Sequence, residues 1–311
     1  MAGFASPLGM SPQASQPGVG AAGSGLLTDG LCGVGVTLRG HLSAVEPTVV
    51  LTIGASDSSG GSGIQADLRT LAALRMHGAT VLTAVVARNT RDTSEIYAQP
   101  TTVVSAQLGR VLEDLPVAAV KTGILPTPET AVAVAARART GALPNLVVDP
   151  VLTASEGARR GLIAAYERLL PHTTVLTPNR EEASALLGWE VVTPTDMAGA
   201  AAQLAARGPQ YVVITGGDFS AGAEAIDVVW MDGAARVLRS PRITSRNTDG
   251  TGATFATAIA GRLAVGDQPP SAIQWAKGFV SRAIGDASEW RIGAGTGPID
   301  QFGWSALSLR H

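Results

Sequence analysis

The chain has 311 residues, of which 45% are hydrophobic and 15% charged, so it can bury a sizeable core and is not disordered throughout. Its formal net charge of −2 argues against nucleic acid or an anionic membrane as the main partner, and leaves a small-molecule substrate as the better expectation. The single cysteine excludes an intrachain disulfide, and without a long apolar run or a secretory signal the sequence predicts a cytoplasmic protein that does not span a membrane.

Residues 1–46 are rich in Gly, Ser, Ala and Pro, which predicts a disordered leader before a single domain over residues 47–311. The domain begins with a predicted strand, "TVVLTIGASD", and a helix, "QADLRTLAALRMHG", that we expect Gly78 to end. Strands and helices then alternate up to a hairpin around Asp232-Gly233, and two helices follow, one over 254–264 and the other "PSAIQWAKGFVSRAIGDAS". The alternating segments are, in order, "ATVLTAVVA", "SAQLGRVLEDL", "AAVKTGIL", "PETAVAVAARART", "NLVVDPVL", "TTVLTPNREEASALLG", "MAGAAAQLAARG" and "QYVVITGG".

Strands that are apolar on both faces and separated by helices predict an α/β fold with a mostly parallel central sheet and helices on both sides. Ligands of such sheets bind at the carboxyl ends of the strands. The unusual polar and glycine-rich segments all follow predicted strands, so we expect them to form one rim: "GASDSSGGSG", "ARNT", "KTGIL", "DPVL", "TPNREE", "TGGD" and "NTDGTGAT".

The segment "NTDGTGAT" has the features of a loop that binds a phosphate. Gly250 and Gly252 allow the backbone N–H groups to turn inward, and a helix with its positive end at the same point follows at once. A γ-phosphoryl group in transfer would be stabilised there. An ordinary glycine-rich helix start fits the same residues, and the pattern is not GxxxxGK[ST].

Two further segments each allow two interpretations. In "TPNREE", Asn179 and Glu182 share one face of a first helical turn, where they could hold hydrated Mg²⁺ beside ATP phosphates or simply cap the helix. In "SDSSGGSGIQADL", the Gly/Ser loop before the helix that carries Asp67 could fold over a small molecule or serve as a flexible connection.

Taken together, these segments resemble the hydroxymethylpyrimidine/phosphomethylpyrimidine kinases of thiamin synthesis, within the ribokinase-like superfamily. The likeness runs in unbroken order from about residue 48 to 303 and includes "GASDSSGGSGIQAD", "TAVVARNT", "AVKTGIL", "VVDPVL", "LTPNREEA", "VVITGG", "NTDGTGAT" and "GAGTGPIDQF". The resemblance implies a three-layer α/β/α sandwich that transfers the γ-phosphoryl group of ATP, with Mg²⁺, to a hydroxymethyl group on a small heteroaromatic ring. It also makes a homodimer an expectation, because such kinases often form one.

The resemblance also implies roles for individual residues. The acceptor pocket would be lined by Gly54, Asp67, Arg88 and Ile124. The metal ion and the nucleotide would be bound or flanked by Asn179, Glu182, Asp149, Thr215 and Gly217. The anion hole would be formed by the backbone of Gly250, Thr251, Gly252 and Ala253.

The sequence departs from the family at the catalytic position. Ala253 stands where these kinases carry Cys or Asp as the base, and a general base contributes roughly 10²–10⁴-fold to the rate. Asp249, where the family often has His, is a candidate substitute base, although an Asp at the start of a loop commonly caps its own backbone.

Other departures surround the same predicted site. Arg88 replaces the usual Gln and can only donate hydrogen bonds, so it would suit a more oxygen-rich acceptor unless it points to solvent. Thr215 and Ser155 each replace a family Lys. The alternative to a kinase is therefore a ligand-binding or regulatory protein with this fold and little or no kinase activity. A pyridoxal-type kinase is a third interpretation.

Overall fold

The computed structural model describes residues 46–152, 156–217 and 222–305, and of residues 156–158 only the backbone. The predicted leader, except for residue 46, and Ser155 therefore lie outside the described residues. From Glu46 onward the described residues belong to one compact unit.

Within the described residues, nine strands form one sheet in the order β3-β2-β1-β4-β5-β6-β7-β8-β9. The six neighbours from β2 to β7 run parallel, while β3, β8 and β9 are antiparallel additions at the two edges. The strands are β1 (Val49–Asp57), β2 (His77–Arg88), β3 (Thr93–Ala98), β4 (Val117–Thr122), β5 (Leu146–Val148), β6 (Val175–Leu176), β7 (Tyr211–Gly216), β8 (Glu224–Met231) and β9 (Ala234–Pro241).

Helices cover both faces of the sheet. They are α1 (Gly63–Ala73), α2 (Thr101–Asp114), α3 (Pro128–Arg139), α4 (Glu156–Tyr166), α5 (Arg180–Leu187), α6 (Pro194–Ala205), α7 (Thr251–Ala264) and α8 (Pro269–Asp286). Helices α2 to α6 pack on one face, and α1, α7 and α8 pack on the other. Side chains of β1 alternate between the two cores, with Val50 on the second face and its neighbour Leu51 on the first. The predicted three-layer α/β/α sandwich with a mostly parallel sheet is confirmed.

The strand order reverses at β1, which lies between β2 and β4. The chain therefore leaves β1 toward one edge of the sheet and later returns on its other side. In open α/β sheets the crevice at such a point, beside the carboxyl ends of the strands, is the usual ligand site. The topology thus singles out the ends of β1 and β4.

Two local predictions had different outcomes. The hairpin is confirmed, since Asp232 and Gly233 both take positive φ between β8 and β9. Gly78 was the wrong end for the first helix: α1 ends at Ala73, Arg75 takes the left-handed turn with φ 60°, and Gly78 lies inside β2. A Cβ at Gly78 would fall 2.6 Å from a methyl carbon of Leu68, so close helix–strand packing accounts for the glycine.

Two elements were missed by the sequence prediction. All six residues of β3 are exposed, so the strand has no buried apolar face to reveal it. Helix α4 is the second missed element, and it begins directly after residues 153–155, which the structure does not describe. Of the helices within the described ranges, none has the length and hydropathy needed to cross a bilayer.

Candidate active site

A cavity of about 310 Å³ opens at the carboxyl ends of β1 and β4 to β7. It brings together residues from one end of the domain to the other, from Gly54 in β1 to Ala253 in α7. Twelve of the fourteen residues predicted from the sequence line it: Gly54, Asp67, Ile124, Asp149, Asn179, Glu182, Thr215, Asp249, Gly250, Thr251, Gly252 and Ala253. The two that do not are Arg88 and Gly217.

The loop before α7 presents backbone donors to this cavity. Gly250 precedes the helix with φ +81°, a conformation that side chains other than glycine rarely adopt. No side chain in the described ranges caps the helix start, so the amides of Gly252 and Ala253 have no partner within the helix. A Cβ at Gly252 would meet nothing within 4 Å. The loop therefore leaves open space in front of donors at the positive end of a helix.

The Gly/Ser loop of residues 57–63 is folded around one carboxylate. Asp57 Oδ1 accepts from the backbone N–H of Ser59, and Oδ2 accepts from that of Ser62, both at 2.8 Å. Gly61 then lies against the loop before α7, because a Cβ at Gly250 would fall 2.1 Å from the Gly61 carbonyl oxygen. The two glycine loops are in direct contact, and the flexible-connection interpretation of residues 57–63 does not hold.

Arg88 lies beside the cavity, where it bridges two carboxylates. Its Nη1 is 3.3 Å from Asp57 Oδ2, and its Nη2 is 3.1 Å from Asp249 Oδ1. The side chain is 24% exposed, so it does not point out to solvent.

Asp67 forms part of a buried ion pair beneath the cavity. Lys121 Nζ is 3.0 Å from both carboxylate oxygens, and the hydroxyls of Thr52 and Thr257 also donate to them. Asp67 is 0% exposed and Lys121 is 2% exposed. The pair joins α1 and β1 to β4 and α7, so it supports the helix that carries the phosphate-type loop. The sequence analysis missed Lys121, although a lysine inside the apolar run "AAVKTGIL" was a usable signal.

Asn179 and Glu182 form a capping box at the start of α5, so the capping interpretation is correct. Asn179 Oδ1 accepts from Glu182 N at 2.8 Å, and Glu182 Oε2 accepts from Asn179 N at 2.9 Å. Both residues also line the cavity, together with Asp149 from the end of β5. Capping therefore leaves Glu182 facing the cavity.

Burial perturbs the two carboxyl groups of this wall. Desolvation raises the pKa of Asp149 to about 6, against the opposing effect of Lys121. Desolvation and then the charge of Asp149 raise the pKa of Glu182 to about 8. Two oxygen ligands that disfavour each other's ionisation in a buried site suit a divalent cation. Within the described residues, no group of three or more His, Cys, Asp or Glu is placed to hold a metal ion.

Hydrogen bonds from residues outside the cavity hold the end of β7 in place. Thr215 lines the cavity, whereas the Gly217 carbonyl accepts from Arg242 at 3.0 Å. The backbone N–H of Gly216 donates to the buried Asp227, which also contacts Lys277 Nζ at 2.6 Å. This part-buried pair, which was not predicted from the sequence, holds the strand that presents Thr215.

Asp249 is the ionisable residue next to the phosphate-type loop. Its carboxylate is partly buried, and desolvation raises its pKa, while Arg88 acts in the opposite direction. Of the cavity's other ionisable residues, Asp67 and Lys121 bind each other, and Asp149 and Glu182 belong to the opposite wall. Asp249 is therefore the best-placed proton acceptor near Ala253.

A larger cleft of about 940 Å³ adjoins the cavity. It shares Val151, Asn179 and Glu182 with the cavity and extends along α5 to Trp189. Arg159 contributes a cation to its wall. A cleft that joins the cavity at Asn179 and Glu182 in this way has room for the rest of a nucleotide.

The geometry agrees with comparisons to known proteins. The profile of the phosphomethylpyrimidine kinase family matches residues 57–300. The hydroxymethylpyrimidine/phosphomethylpyrimidine kinase of Streptomyces coelicolor is 42% identical over 265 residues, which cover 84% of this chain and 96% of that protein. A chloroplastic thiamine biosynthetic bifunctional enzyme of Arabidopsis thaliana is 41% identical, over 81% of this chain but only half of its own length.

A solved structure extends the likeness to three dimensions. An ADP complex of Bacillus subtilis pyridoxal kinase superposes with a TM-score of 0.78 at 37% identity, covering 85% of this chain and all of that one. The family match spans most of the chain and includes the cavity-lining residues from Ser62 to Ala253. The chain belongs to the phosphomethylpyrimidine kinase family.

Proposed function

We propose that the protein transfers the γ-phosphoryl group of ATP to the hydroxymethyl group of hydroxymethylpyrimidine or of its phosphate, in thiamine synthesis. The observation that carries the proposal is the start of α7, where the amides of Gly252 and Ala253 have no partner within the helix, both residues line the cavity, and the space beside Gly252 is open. Family membership supports the acceptor class, and the ADP complex of the related pyridoxal kinase supports a nucleotide as the donor.

The phosphoryl transfer is a single displacement at phosphorus. The acceptor hydroxyl oxygen forms a bond to the γ-phosphorus, and the bond from that phosphorus to the β-phosphate oxygen breaks, so that ADP leaves. Charge on the transferred group is stabilised by the amides of Gly252 and Ala253 and by the start of α7. The main contribution of the protein is thus positioning and electrostatic stabilisation.

We propose that the Asp249 carboxylate accepts the proton of the acceptor hydroxyl. Its carboxylate lines the cavity immediately before the donor loop, whereas Ala253 has no group that can take a proton. Because burial raises the pKa of Asp249, the carboxylate is a stronger base than an exposed aspartate. This assignment reconciles Ala253 with an active kinase.

Mg²⁺ would be held by Asp149 and Glu182, whose oxygens are the ligand type that the ion prefers. When bound, it would supply positive charge that stabilises the phosphate groups. Thr215 and Asn179 would flank the nucleotide phosphates, and Gly54 and Ile124 would line the acceptor pocket. Asp67 also lines the cavity, where its carboxylate pairs with Lys121, and Gly217 supports the end of β7 from outside the cavity.

A second acceptor has its own support. A Bacillus subtilis pyridoxine kinase is 40% identical over 75% of this chain, and the pyridoxal kinase superposes closely. Pyridoxal also carries a hydroxymethyl group on a heteroaromatic ring, so it is the acceptor to compare with hydroxymethylpyrimidine. A cytoplasmic location and a homodimer stay predictions.

The test is an acceptor-dependent assay with purified protein, ATP and Mg²⁺, in which ³¹P NMR detects the phosphorylated product. We expect product with hydroxymethylpyrimidine, and a fall of roughly 10²–10⁴-fold in kcat for Asp249→Asn. Product from neither hydroxymethylpyrimidine nor pyridoxal would refute the proposed function. It would favour the alternative of a ligand-binding protein.

A further inference from the structure

One cation joins the two glycine loops beside the cavity. Arg88, at the end of β2, contacts Asp57 at 3.3 Å and Asp249 at 3.1 Å. Asp57 organises the loop of residues 57–63, and Asp249 directly precedes Gly250. These three side chains, which we name the Asp57–Arg88–Asp249 bridge, therefore connect the loop over the cavity with the loop that presents the backbone donors.

The Asp249 carboxylate is also fitted against the opposite loop. A Cβ at Gly61 would fall 2.2 Å from Asp249 Oδ2, so only a residue without a side chain leaves room for this oxygen. Oδ1 contacts Arg88, while Oδ2 lies against Gly61. The carboxylate is thus held from both sides.

The backbone of Arg88 is fixed as well. Ser58 Oγ donates to the Arg88 carbonyl oxygen at 2.7 Å and accepts from its N–H at 3.0 Å. The guanidinium is therefore attached to the loop of residues 57–63 through its own backbone and through Asp57.

The bridge already brings both terminal nitrogens of Arg88 into contact with carboxylates of the protein. Each terminal nitrogen contacts a carboxylate, and Nε is buried with no hydrogen-bond partner in the described ranges. Arg88 is also absent from the lining of the cavity. The two carboxylates neutralise the guanidinium charge, and the side chain lies outside the cavity lining, which argues against a role for Arg88 in attracting an oxygen-rich acceptor.

We propose that Arg88 is a positioning residue that, together with Asp57, holds the Asp249 carboxylate in place and ionised, rather than a residue that binds the acceptor. The inference rests on the proposed function, in which Asp249 is the base.

The charges that face Asp249 are Arg88 from β2 and Asp57 from the end of β1. Burial raises the pKa of Asp249, Asp57 raises it further, and Arg88 lowers it. Without the guanidinium, two carboxylates would face each other with no cation between them, and the pKa of Asp249 would rise.

The experiment follows the Asp249 carboxyl carbon by ¹³C NMR in protein labelled at aspartate, with the signal assigned by its loss in Asp249→Asn. In Arg88→Gln we expect the titration midpoint to rise by about one to two pH units. The acid limb of kcat should move by a similar amount, while KM for hydroxymethylpyrimidine stays within about twofold of the wild type. Arg88→Lys keeps one cation and should give an intermediate shift.

Arg91→Gln is the matched control, because Arg91 is an exposed arginine three residues away that forms no ion pair within the described ranges, and it should leave both measurements unchanged. An unchanged Asp249 titration in Arg88→Gln would overturn the inference. So would a raised acceptor KM with kcat and the titration unchanged, since this would place Arg88 on the acceptor. If the wild type forms no product, the proposed function fails, and the NMR titration alone decides the role of Arg88.

Discussion

Replacing Lys121 by methionine tests the buried ion pair on which the position of α7 depends. Lys121 is the only cation that contacts Asp67 in the described ranges, and Asp67 is 0% exposed. The substitution keeps most of the side-chain volume but removes the charge. It therefore leaves a buried carboxylate with only the hydroxyls of Thr52 and Thr257 as partners.

Breaking a buried pair by removing one partner costs about 3–5 kcal/mol, because the remaining charge stays desolvated. This is a large share of a total stability of about 5–15 kcal/mol. At roughly 2–4 °C per kcal/mol for a domain of this size, the melting temperature should fall by about 6–20 °C. Adding Asp67→Asn should recover at least about 2 kcal/mol, because an amide can still bond with the two hydroxyls and buries no charge.

Urea unfolding at pH 7, followed by far-UV circular dichroism, measures these changes. Arg110→Met is the matched control, because its pair with Glu113 is exposed on α2 and should contribute little. A loss below about 1 kcal/mol in Lys121→Met would refute the reasoning, since even an exposed pair can contribute that much. Failure of Asp67→Asn to recover stability would also contradict it.

The remaining predictions concern the cavity itself. Between pH 5 and pH 8.5 without Mg²⁺, Glu182→Gln should lose roughly 2–4 kcal/mol less stability than the wild type loses. In the folded wild type the Glu182 carboxyl, whose pKa is raised to about 8, keeps a proton that it gives up as the pH approaches 8. Gly250→Ala should destabilise the protein by more than about 1–2 kcal/mol, because it forces alanine into a left-handed conformation and places the methyl group 2.1 Å from the Gly61 carbonyl oxygen. Gly252→Ala should keep the stability yet weaken ATP binding, because its methyl group enters open space in the cavity. Ala253→Cys should raise the rate of Asp249→Asn at least tenfold, because a thiolate is favoured at a helix N-terminus.

Each of these predictions has a control or a contradicting result. Glu129→Gln changes an exposed glutamate in the first turn of a different helix, α3, and should leave the pH dependence of urea unfolding as it is. Equal melting temperatures for Gly250→Ala and the wild type would contradict the strain argument, and unchanged calorimetric ATP binding in Gly252→Ala would contradict the assigned phosphate position. If Ala253→Cys does not raise the steady-state rate of Asp249→Asn, the missing base does not limit the reaction.

The fold and the outline of the site could be predicted because they depend on patterns that are local in the sequence. Apolar runs fix the strands, and the carboxyl ends of parallel strands meet at one edge, so the segments around Gly54, Asp149 and Gly250 had to converge. The capping box of Asn179 and Glu182 likewise depends on a segment of only four residues.

The partners of the buried charges could not be predicted in this way. Asp67 and Lys121 are 54 residues apart, and Arg88 and Asp249 are 161 apart, so only the strand order reveals that they meet. Asp67 and Arg88 were assigned to the acceptor pocket, and the protein's own charged groups that each of them contacts were not predicted. An isolated charge in a sequence does not indicate which opposite charge neutralises it.

The most direct test of the account is a crystal structure of the protein with a non-hydrolysable ATP analogue, Mg²⁺ and hydroxymethylpyrimidine. The account predicts the terminal phosphate within hydrogen-bond distance of the amides of Gly252 and Ala253, and the acceptor hydroxyl within about 3.2 Å of an Asp249 carboxylate oxygen. A terminal phosphate bound away from this loop, or a hydroxyl more than about 5 Å from Asp249 with no bridging water, would contradict it.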